Sequence, residues 1–239
     1  MVQKKFITIY ETLRKDILEE KLVYGTQIPS ENELVEQYQA SRETVRKALN
    51  LLVRDGMIQK IRGKGSIVIY QGLTEFPFSD LISFSEVQKG LGLEHETEVE
   101  VLERITASEV PNVKEALEIS SNTWLWHLVR TRKINGQVKI IDEDYLIEAL
   151  VPNITKRIAR QSLYAYIEQD LNLVISYSNK SITFESFGAL EYQIFGDYVV
   201  PYTATVRGIV HFEDTTKFQY NISRHLATDF KFNDFSRRR

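Results

Sequence analysis

The stretch QIPSENELVEQYQASRETVRKALNLLVRDGMIQKIRGKGSIVI, residues 27–69, carries two closely spaced helix signals followed by a hairpin signal. Residues 41–54 predict a helix in which apolar side chains recur at the i, i+3, i+4 and i+7 spacing of a buried face. These are Val45, Ala48, Leu49 and Leu52. Ser41 is a favourable N-cap, so the helix is expected to begin immediately after it. A second face of the helix then presents polar side chains from the first turns. These are Arg42, Thr44 and Arg46.

A shorter helix is predicted immediately upstream. Ser30 to Glu33 has the S-x-x-E form of a capping box, and Pro29 stops any helix arriving from before it. Only Gln39 and Ala40 separate this helix from the next. Two short helices joined so closely predict a helix-turn-helix, whose second helix enters the major groove of DNA.

A basic hairpin is predicted after the second helix, which Gly56 ends. Residues 57–61 and 66–70 are β-prone and flank the tip RGKG, residues 62–65. The two glycines allow close approach of the backbone to another group, and the two cations suggest that this group is anionic. The tip is not a P-loop, because Ile58 and Gly65 replace the glycine and the hydroxyl residue of that motif. Helix-turn-helix and hairpin together predict a winged helix.

Each of these signals is common by itself. A basic helix face is usually only solvated, and a glycine-rich tip is usually an ordinary turn. Their order within about forty residues favours DNA binding.

The motifs PSENEL, SRETVRKAL, L-x-x-DG and RGKGS resemble the DNA-binding head of the GntR family of bacterial transcription regulators over about the first seventy residues. The resemblance implies base or phosphate contacts from the recognition helix and the wing, with support from the start of the preceding helix. Asn32 departs from the arginine that some family members carry at this position. The implied DNA-binding residues are Ser30, Glu31, Asn32, Ser41, Arg42, Thr44, Arg46, Arg62, Gly63 and Lys64.

The composition is that of a water-soluble globular protein, with 43% hydrophobic and 26% charged residues among 239. The net charge of −3 divides unevenly: residues 1–70 hold 12 Lys and Arg against 9 Asp and Glu, or +3, which leaves −6 for the rest. The basic charge therefore lies in the predicted DNA-binding head. The lack of cysteine fits a reducing compartment. With no apolar run long enough to span a membrane and no signal-peptide pattern, a cytoplasmic location is expected.

The domain organisation follows from a change in pattern after the wing. Residues 71–77, QGLTEFP, have a glycine, a proline and no periodicity, which is typical of a linker. We expect a winged helix-turn-helix domain at 1–72, a linker at 73–78 and a second domain at 79–239. Helical patterns are expected at 83–93, 163–171 and 190–195. Strands are expected at 98–106, 124–134, 138–147, 174–184, 202–212 and 218–226. The second domain is therefore predicted to be α+β with an antiparallel sheet.

The strand at 124–134 has an unusual face. By period two, Trp124, Trp126 and Leu128 share one face with Arg130 and Arg132. A buried guanidinium requires an anionic partner, and two neighbouring forks suit a phosphate. Two other interpretations remain open: a salt bridge to Asp142, Glu143 or Asp144 on the next strand, or a face that has reached solvent by position 130.

The second half resembles the effector-binding domain of the HutC subgroup of the GntR family, known as UTRA, whose fold is shared with chorismate lyase. The matching motifs are ISFSE at 82–86, RTR at 130–132, IDEDY at 141–145, SLY at 162–164, and FQY with SRH within 218–225. The resemblance implies that the arginine pair and nearby serines hold an effector phosphate. Many relatives carry Glu at position 219 and Tyr at position 225. The implied effector residues are Ser83, Phe84, Ser85, Arg130, Arg132, Asp142, Ser162, Tyr164, Gln219 and His225.

The position of Asp142 depends on the hairpin at Asn135-Gly136. A plain two-residue turn pairs Arg130 with Ile141, which places Glu143, rather than Asp142, on the arginine face. A β-bulge would reverse this arrangement.

The expected function is a repressor of a sugar-utilisation operon that binds double-stranded operator DNA as a homodimer and is released by a sugar phosphate. Through RTRKINGQ and the ending at 232–238 the chain resembles regulators of trehalose operons, which implies trehalose 6-phosphate; glucosamine 6-phosphate is an alternative. No cofactor or metal is expected. Two alternatives are an enzyme that uses His127, His211 or His225, and a phosphosugar-binding protein with a nonspecific nucleic-acid head. No catalytic motif supports the enzyme.

Overall fold

The computed structural model describes residues 5–70 and 95–232. Residues 5–70 belong to one compact unit, together with Phe232, and residues 95–231 belong to a second. The predicted linker at 73–78, the predicted helix at 83–93 and residues 233–239 lie outside the described residues, as do Ser83, Phe84 and Ser85. The domain boundaries that we expect near residues 72 and 79 therefore stay a prediction.

The first unit is the predicted winged helix-turn-helix. Its elements are α1 (Lys5–Leu18), α2 (Glu31–Tyr38), α3 (Arg42–Arg54), β1 (Ile58–Ile61) and β2 (Gly65–Val68). The two strands form an antiparallel hairpin. The apolar stripe of α3 packs with side chains from the other two helices in one hydrophobic core. Its fully buried members include Ile9, Leu34, Val45, Ala48, Leu49 and Leu52.

The helix ends of this unit follow the local sequence. The capping box is formed, since the Ser30 hydroxyl accepts from the Glu33 N–H at 3.3 Å and the Glu33 carboxylate accepts from the Ser30 N–H at 2.7 Å. Gln39 adopts a left-handed conformation that ends α2. The spacing of Ile9, Leu13 and Ile17 predicts a first helix that ends near residues 24–25. The helix ends instead at Leu18, and Glu20 takes a positive φ of 55°.

The second unit is built on a six-stranded antiparallel sheet with the order β3-β4-β5-β8-β7-β6. The α+β expectation is confirmed. The strands are β3 (His95–Thr106), β4 (Trp124–Ile134), β5 (Gln137–Ile147), β6 (Ile175–Ser186), β7 (Tyr202–Phe212) and β8 (Lys217–Leu226). The helices are α4 (Pro111–Leu117), α5 (Lys156–Gln161), α6 (Leu163–Ala165) and α7 (Ala189–Phe195). The helix predicted at 163–171 is α6 followed by a π-helical turn, Tyr166–Asp170.

Separate groups of apolar side chains pack on the two faces of the sheet. One core, around Leu128, Leu146 and Phe218, contains residues of α5 and α6. The other core, around Leu125 and Ile147, contains residues of α4. Polar side chains interrupt both faces near the middle of the sheet, which is where the candidate site lies.

A β-bulge sets the register between β4 and β5. Arg132 lies opposite Ile140 whereas Lys133 lies opposite Val138, so Lys139 is the extra residue. Arg130 consequently pairs with Asp142, and Asp142 and Asp144 lie on the arginine face. Glu143 lies on the opposite face, so the plain two-residue hairpin register is wrong.

No helix within 5–70 or 95–232 is both long and apolar enough to cross a membrane.

Candidate functional site

The N-terminus of α3 presents the side chains expected of a recognition helix. Ser41 caps it: the Ser41 hydroxyl accepts from the Thr44 N–H at 3.2 Å and lies 2.8 Å from the Thr44 hydroxyl. Arg42 and Arg46 are exposed beside this cap. The first turn of α3 therefore combines two hydroxyl groups with two cations, a set that suits phosphate and base-edge contacts.

Arg46 is held by an acid from the preceding helix. Its Nε donates to Glu31 Oε2 at 2.9 Å. The other carboxylate oxygen of Glu31 lies 3.8 Å from Nζ of Lys60 on β1, and Lys60 donates to Asn50 Oδ1 at 3.0 Å. Asn32 is exposed next to Glu31. These contacts connect α2, α3 and the hairpin.

The hairpin tip is exposed from Ile61 to Gly65. Both glycines have positive φ, 79° at Gly63 and 85° at Gly65, but their surroundings differ. A Cβ at Gly65 would lie 2.5 Å from the Gln27 side chain, so this glycine packs against its own domain. A Cβ at Gly63 would meet no described atom within 4 Å. Of the two glycines, only Gly63 is placed so that the backbone can come close to a group outside the domain, as the sequence predicted.

Replacing Lys64 with Ala at this tip is expected to weaken specific and random DNA binding alike. A cation that touches phosphate contributes about one unit to the slope of log affinity against log salt, so the slope should fall by about one unit per protomer. Titrations of both duplexes at several salt concentrations measure this. Lys156→Ala, an exposed lysine of the second unit, is the control. A loss confined to the specific site would contradict a phosphate contact.

Two buried ion pairs organise the arginine face of β4. Arg130 Nη2 donates to Asp144 Oδ2 at 2.6 Å, and Arg132 Nε donates to Asp142 Oδ2 at 2.9 Å. The exposed fractions of Arg130 and Arg132 are 6% and 5%. The salt-bridge interpretation is therefore confirmed for both aspartates and wrong for Glu143, and the solvent-exposed interpretation is wrong. Trp124, Trp126 and Leu128 predict that this face of β4 is buried, but Trp124 is half-exposed under the Arg104 guanidinium, whose carbon lies 4.8 Å from the ring centroid.

Strand β8 extends this polar cluster. Gln219 and Asn221 both donate to Asp144 Oδ1, at 2.7 and 2.8 Å. The Ser223 hydroxyl donates to Asp142 Oδ1 at 2.6 Å and lies 3.1 Å from His225 Nε2. Because a carboxylate can only accept, Ser223 donates to it and accepts the Nε2 proton of His225. Sequence reasoning missed Asn221 and Ser223, although period two between residues 219 and 225 would have placed both on the same face.

Three further residues lie on β3 or at the start of α6. Thr97 of β3, which was not predicted, accepts from Arg132 Nη1 at 2.7 Å. The Ser162 hydroxyl caps α6 by accepting from the Ala165 N–H at 3.2 Å. Two residues later, burial raises the pKa of Tyr164, with a further contribution from Asp144, while Arg130 opposes it. Tyr164 therefore keeps its proton and can donate a hydrogen bond.

The charge states follow from burial and pairing. Burial alone would raise the pKa of Asp142, but Arg132 and Arg130 outweigh it and lower that pKa. Burial and the neighbouring Arg130 lower the pKa of Arg132 to about 10, so both arginines stay charged at neutral pH. Burial lowers the pKa of His225 to about 4, which keeps its ring neutral. Each of the two arginines in the cluster is thus paired with an aspartate.

The pKa of His225 leads to a prediction about acid stability. An unfolded chain protonates histidine below about pH 6.5, whereas the folded chain resists protonation until about pH 4. Above pH 6.5 His225 is neutral in both the folded and the unfolded chain. As the pH falls from 6.5 towards 4, only the unfolded chain gains the proton, so the free energy of unfolding decreases by an amount on the order of 3 kcal/mol. His225→Asn should lose less stability than the wild type between pH 7 and pH 4 in chemical unfolding experiments. Equal losses of stability in the variant and the wild type would contradict the low pKa of His225.

Two buried polar atoms in the cluster have no hydrogen-bond partner among residues 5–70 and 95–232. They are the donor Nε of Arg130 and the acceptor Oε1 of Gln219. An unsatisfied buried polar atom costs about 1–3 kcal/mol, which a polar ligand with both donors and acceptors would recover. The arrangement suits a small molecule that carries an anionic group and hydroxyl groups.

His127 and His211 do not join this cluster. His127 lies on the opposite face of β4, with its ring nitrogens 2.9 Å from Glu103 and 3.0 Å from Glu143. His211 stacks on Tyr177 with ring centroids 4.3 Å apart. Within the described parts of the chain, no group of three or more His, Cys, Asp or Glu side chains could hold a metal ion.

Comparison with known proteins agrees with both units. The model of bacterial regulatory proteins of the gntR family matches residues 7–68, and the UTRA domain model matches residues 90–231. The HTH-type transcriptional regulator TreR of Bacillus subtilis is 41% identical over 238 residues, covering 100% of this chain and 99% of that protein.

Two solved structures are similar to the chain. The possible transcriptional regulator YydK of Bacillus subtilis aligns with a TM-score of 0.82 at 22% identity, over 98% of this chain and all of that one, which supports the fold. The effector-binding domain of the Bacillus subtilis trehalose repressor TreR aligns with a TM-score of 0.54 at 36% identity, over 60% of this chain and 98% of that one.

Proposed function

The chain belongs to the GntR family of bacterial regulatory proteins and carries a UTRA domain, and from that membership we propose that it is a homodimeric repressor of a trehalose-utilisation operon whose effector is trehalose 6-phosphate. The observation that supports this proposal most strongly is the 41% identity between this chain and TreR, which extends over both units. The family members that match are transcriptional regulators, so the chain is a transcriptional regulator rather than an enzyme.

The buried arginine cluster supports an anionic sugar as the ligand. Arg130 has five N–H donors, and the described residues accept from two of its nitrogens, Ala159 O from Nη1 and Asp144 from Nη2. The aspartates orient both guanidinium groups and balance their two positive charges. A phosphate that approaches the remaining donors of Arg130, together with the hydroxyls of Ser162 and Tyr164, would gain charge-assisted hydrogen bonds.

The sugar part of the effector is proposed to contact the side chains of β8. Gln219 offers an unsatisfied amide oxygen, and His225 and Asn221 add polar groups on the same face. Hydroxyl groups of a disaccharide both donate and accept, so they match this mixture. Asp142 is proposed to act on the ligand indirectly, because its contacts with Arg132 and Ser223 position those two side chains.

Release from DNA is proposed to follow from linkage between the two sites. A dimer presents two recognition helices to half-sites about one helical turn apart, so any ligand that favours a different spacing of the heads weakens operator binding. We place this activity in the cytoplasm, where both DNA and the sugar phosphate are present.

A ligand screen tests the effector class. A molecule that binds only the folded state at 100 times its Kd stabilises the protein by about 2.7 kcal/mol. We expect trehalose 6-phosphate to raise the melting temperature more than trehalose, inorganic phosphate or glucosamine 6-phosphate at equal concentration. Equal shifts by inorganic phosphate would reduce the ligand to a simple anion. A larger shift by glucosamine 6-phosphate would replace the proposed sugar.

A further inference from the structure

The acid that contacts Arg46 lies in the first turn of α2, where its interaction with the helix dipole contributes about 0.3–1 kcal/mol to stability. Glu31 is the first residue of α2, but the capping box is made by Ser30 and Glu33. Its pair with Arg46 joins side chains that are 34% and 64% exposed. Exposed ion pairs contribute about 0–1 kcal/mol to stability. A carboxylate at a predicted DNA interface also repels phosphate, so its placement there calls for a functional explanation.

The contact geometry constrains the guanidinium in a particular way. Glu31 accepts from the Nε of Arg46, which is one corner of the planar fork. The two terminal nitrogens are left to form the bidentate contact with guanine that arginine makes in a major groove. Lys60 helps to fix the acid, because its Nζ lies 3.8 Å from Glu31 Oε1 and also donates to Asn50, one turn beyond Arg46 on α3.

The charge of Glu31 has a second consequence. Nonspecific binding depends on cations that neutralise phosphates and release counterions. An arginine that is already paired with a carboxylate gains less electrostatic energy from a phosphate. A guanine edge carries no net charge, so its hydrogen bonds to the arginine depend less on that pair. The pair therefore weakens contacts with random DNA more than contacts with the correct base.

We propose that Glu31 is a positioning residue for operator recognition: it holds Arg46 through Nε and raises the ratio of specific to nonspecific DNA affinity. The inference rests on the proposed DNA-binding role of the head and is independent of the identity of the effector. Sequence reasoning placed Glu31 among supporting residues without this partner, since a contact between residues 15 positions apart requires the packing of α2 against α3.

The test measures the affinity of wild type and Glu31→Gln for operator DNA and for a random duplex of equal length. The operator is the segment that wild type protects when it footprints its own promoter region. Glu31→Gln keeps the size of the side chain and removes its charge. From the usual strength of exposed pairs, we expect random-DNA affinity to rise about two- to fivefold and the specificity ratio to fall by a similar factor. Glu36→Gln, an exposed acid at the other end of α2, controls for net charge and should change the ratio less.

A double-mutant cycle separates positioning from general electrostatics. In an Arg46→Ala background, Glu31→Gln should leave the specificity ratio unchanged, because the residue through which it acts is missing. An unchanged ratio in the single variant, or the same fall in both backgrounds, would overturn the proposal. Wild type that protects no segment of its promoter would instead contradict the proposed function, so the two failures are distinguishable.

Discussion

Replacing Arg46 with Ala is expected to lower operator affinity about 5- to 150-fold, or about 1–3 kcal/mol, and to relax base preference at one position of each half-site. The side chain is exposed and lies outside the core formed by Val45, Leu49 and Leu52. Its removal therefore costs no buried contact, and the melting temperature should stay close to that of wild type. Equilibrium titration of the operator and of single-base variants measures both effects.

Arg54→Ala is the matched control for this experiment. Arg54 is an exposed arginine near the end of the same helix and pairs with Asp55. It removes the same charge from the same helix, but away from the end that enters the groove. Equal losses for the Arg46 and Arg54 variants would reduce Arg46 to a general electrostatic contributor, and an unchanged affinity would remove it from the interface.

Replacing Arg130 with Ala is expected to destabilise the second unit by about 3–5 kcal/mol, because it leaves a buried carboxylate without its cationic partner. Asp144 is fully buried, and its other described hydrogen-bond partners, Gln219 and Asn221, are neutral amides. Chemical unfolding measures this loss. A stable Arg130→Ala protein would contradict the dependence of Asp144 on this arginine.

The effector role of Arg130 needs a variant that keeps the charge next to Asp144. Arg130→Lys retains the cation but loses the planar fork that binds phosphate at two points. We expect it to be more stable than Arg130→Ala and to bind trehalose 6-phosphate about tenfold to hundredfold more weakly than wild type, in line with about 1.5–3 kcal/mol for a hydrogen bond to a charged group. Unchanged ligand affinity would exclude Arg130 from the phosphate contact.

The winged head was largely predictable because its signals are local. The caps at Ser30 and Ser41, the apolar stripe of α3 and the glycines of the hairpin each act within a few residues. The same holds for β4 and β7, whose bounds match the predicted strands. The early end of α1 was not predictable from its apolar spacing, since a turn at residues 19–20 overrides it.

The candidate site was harder to predict because its geometry depends on pairing between strands. The extra residue Lys139 shifts β5 by one position and moves every side chain beyond it to the other face, yet no glycine or proline marks the bulge. The partners of Asp144 come from β4 and from β8, 75 residues farther along the chain. Helices α4 and α5 were missed because both are short, although Pro111 and the capping residue Thr155 signal their starts.

The most direct test of the proposed repressor is a titration of trehalose 6-phosphate into the full chain, alone and saturated with operator DNA. If the effector releases the repressor, linkage requires that operator weakens effector binding by the same factor as effector weakens operator binding. We expect a lower effector affinity in the presence of operator, by about 5- to 150-fold for a typical coupling free energy of 1–3 kcal/mol. Equal effector affinity with and without operator would contradict release by this sugar phosphate.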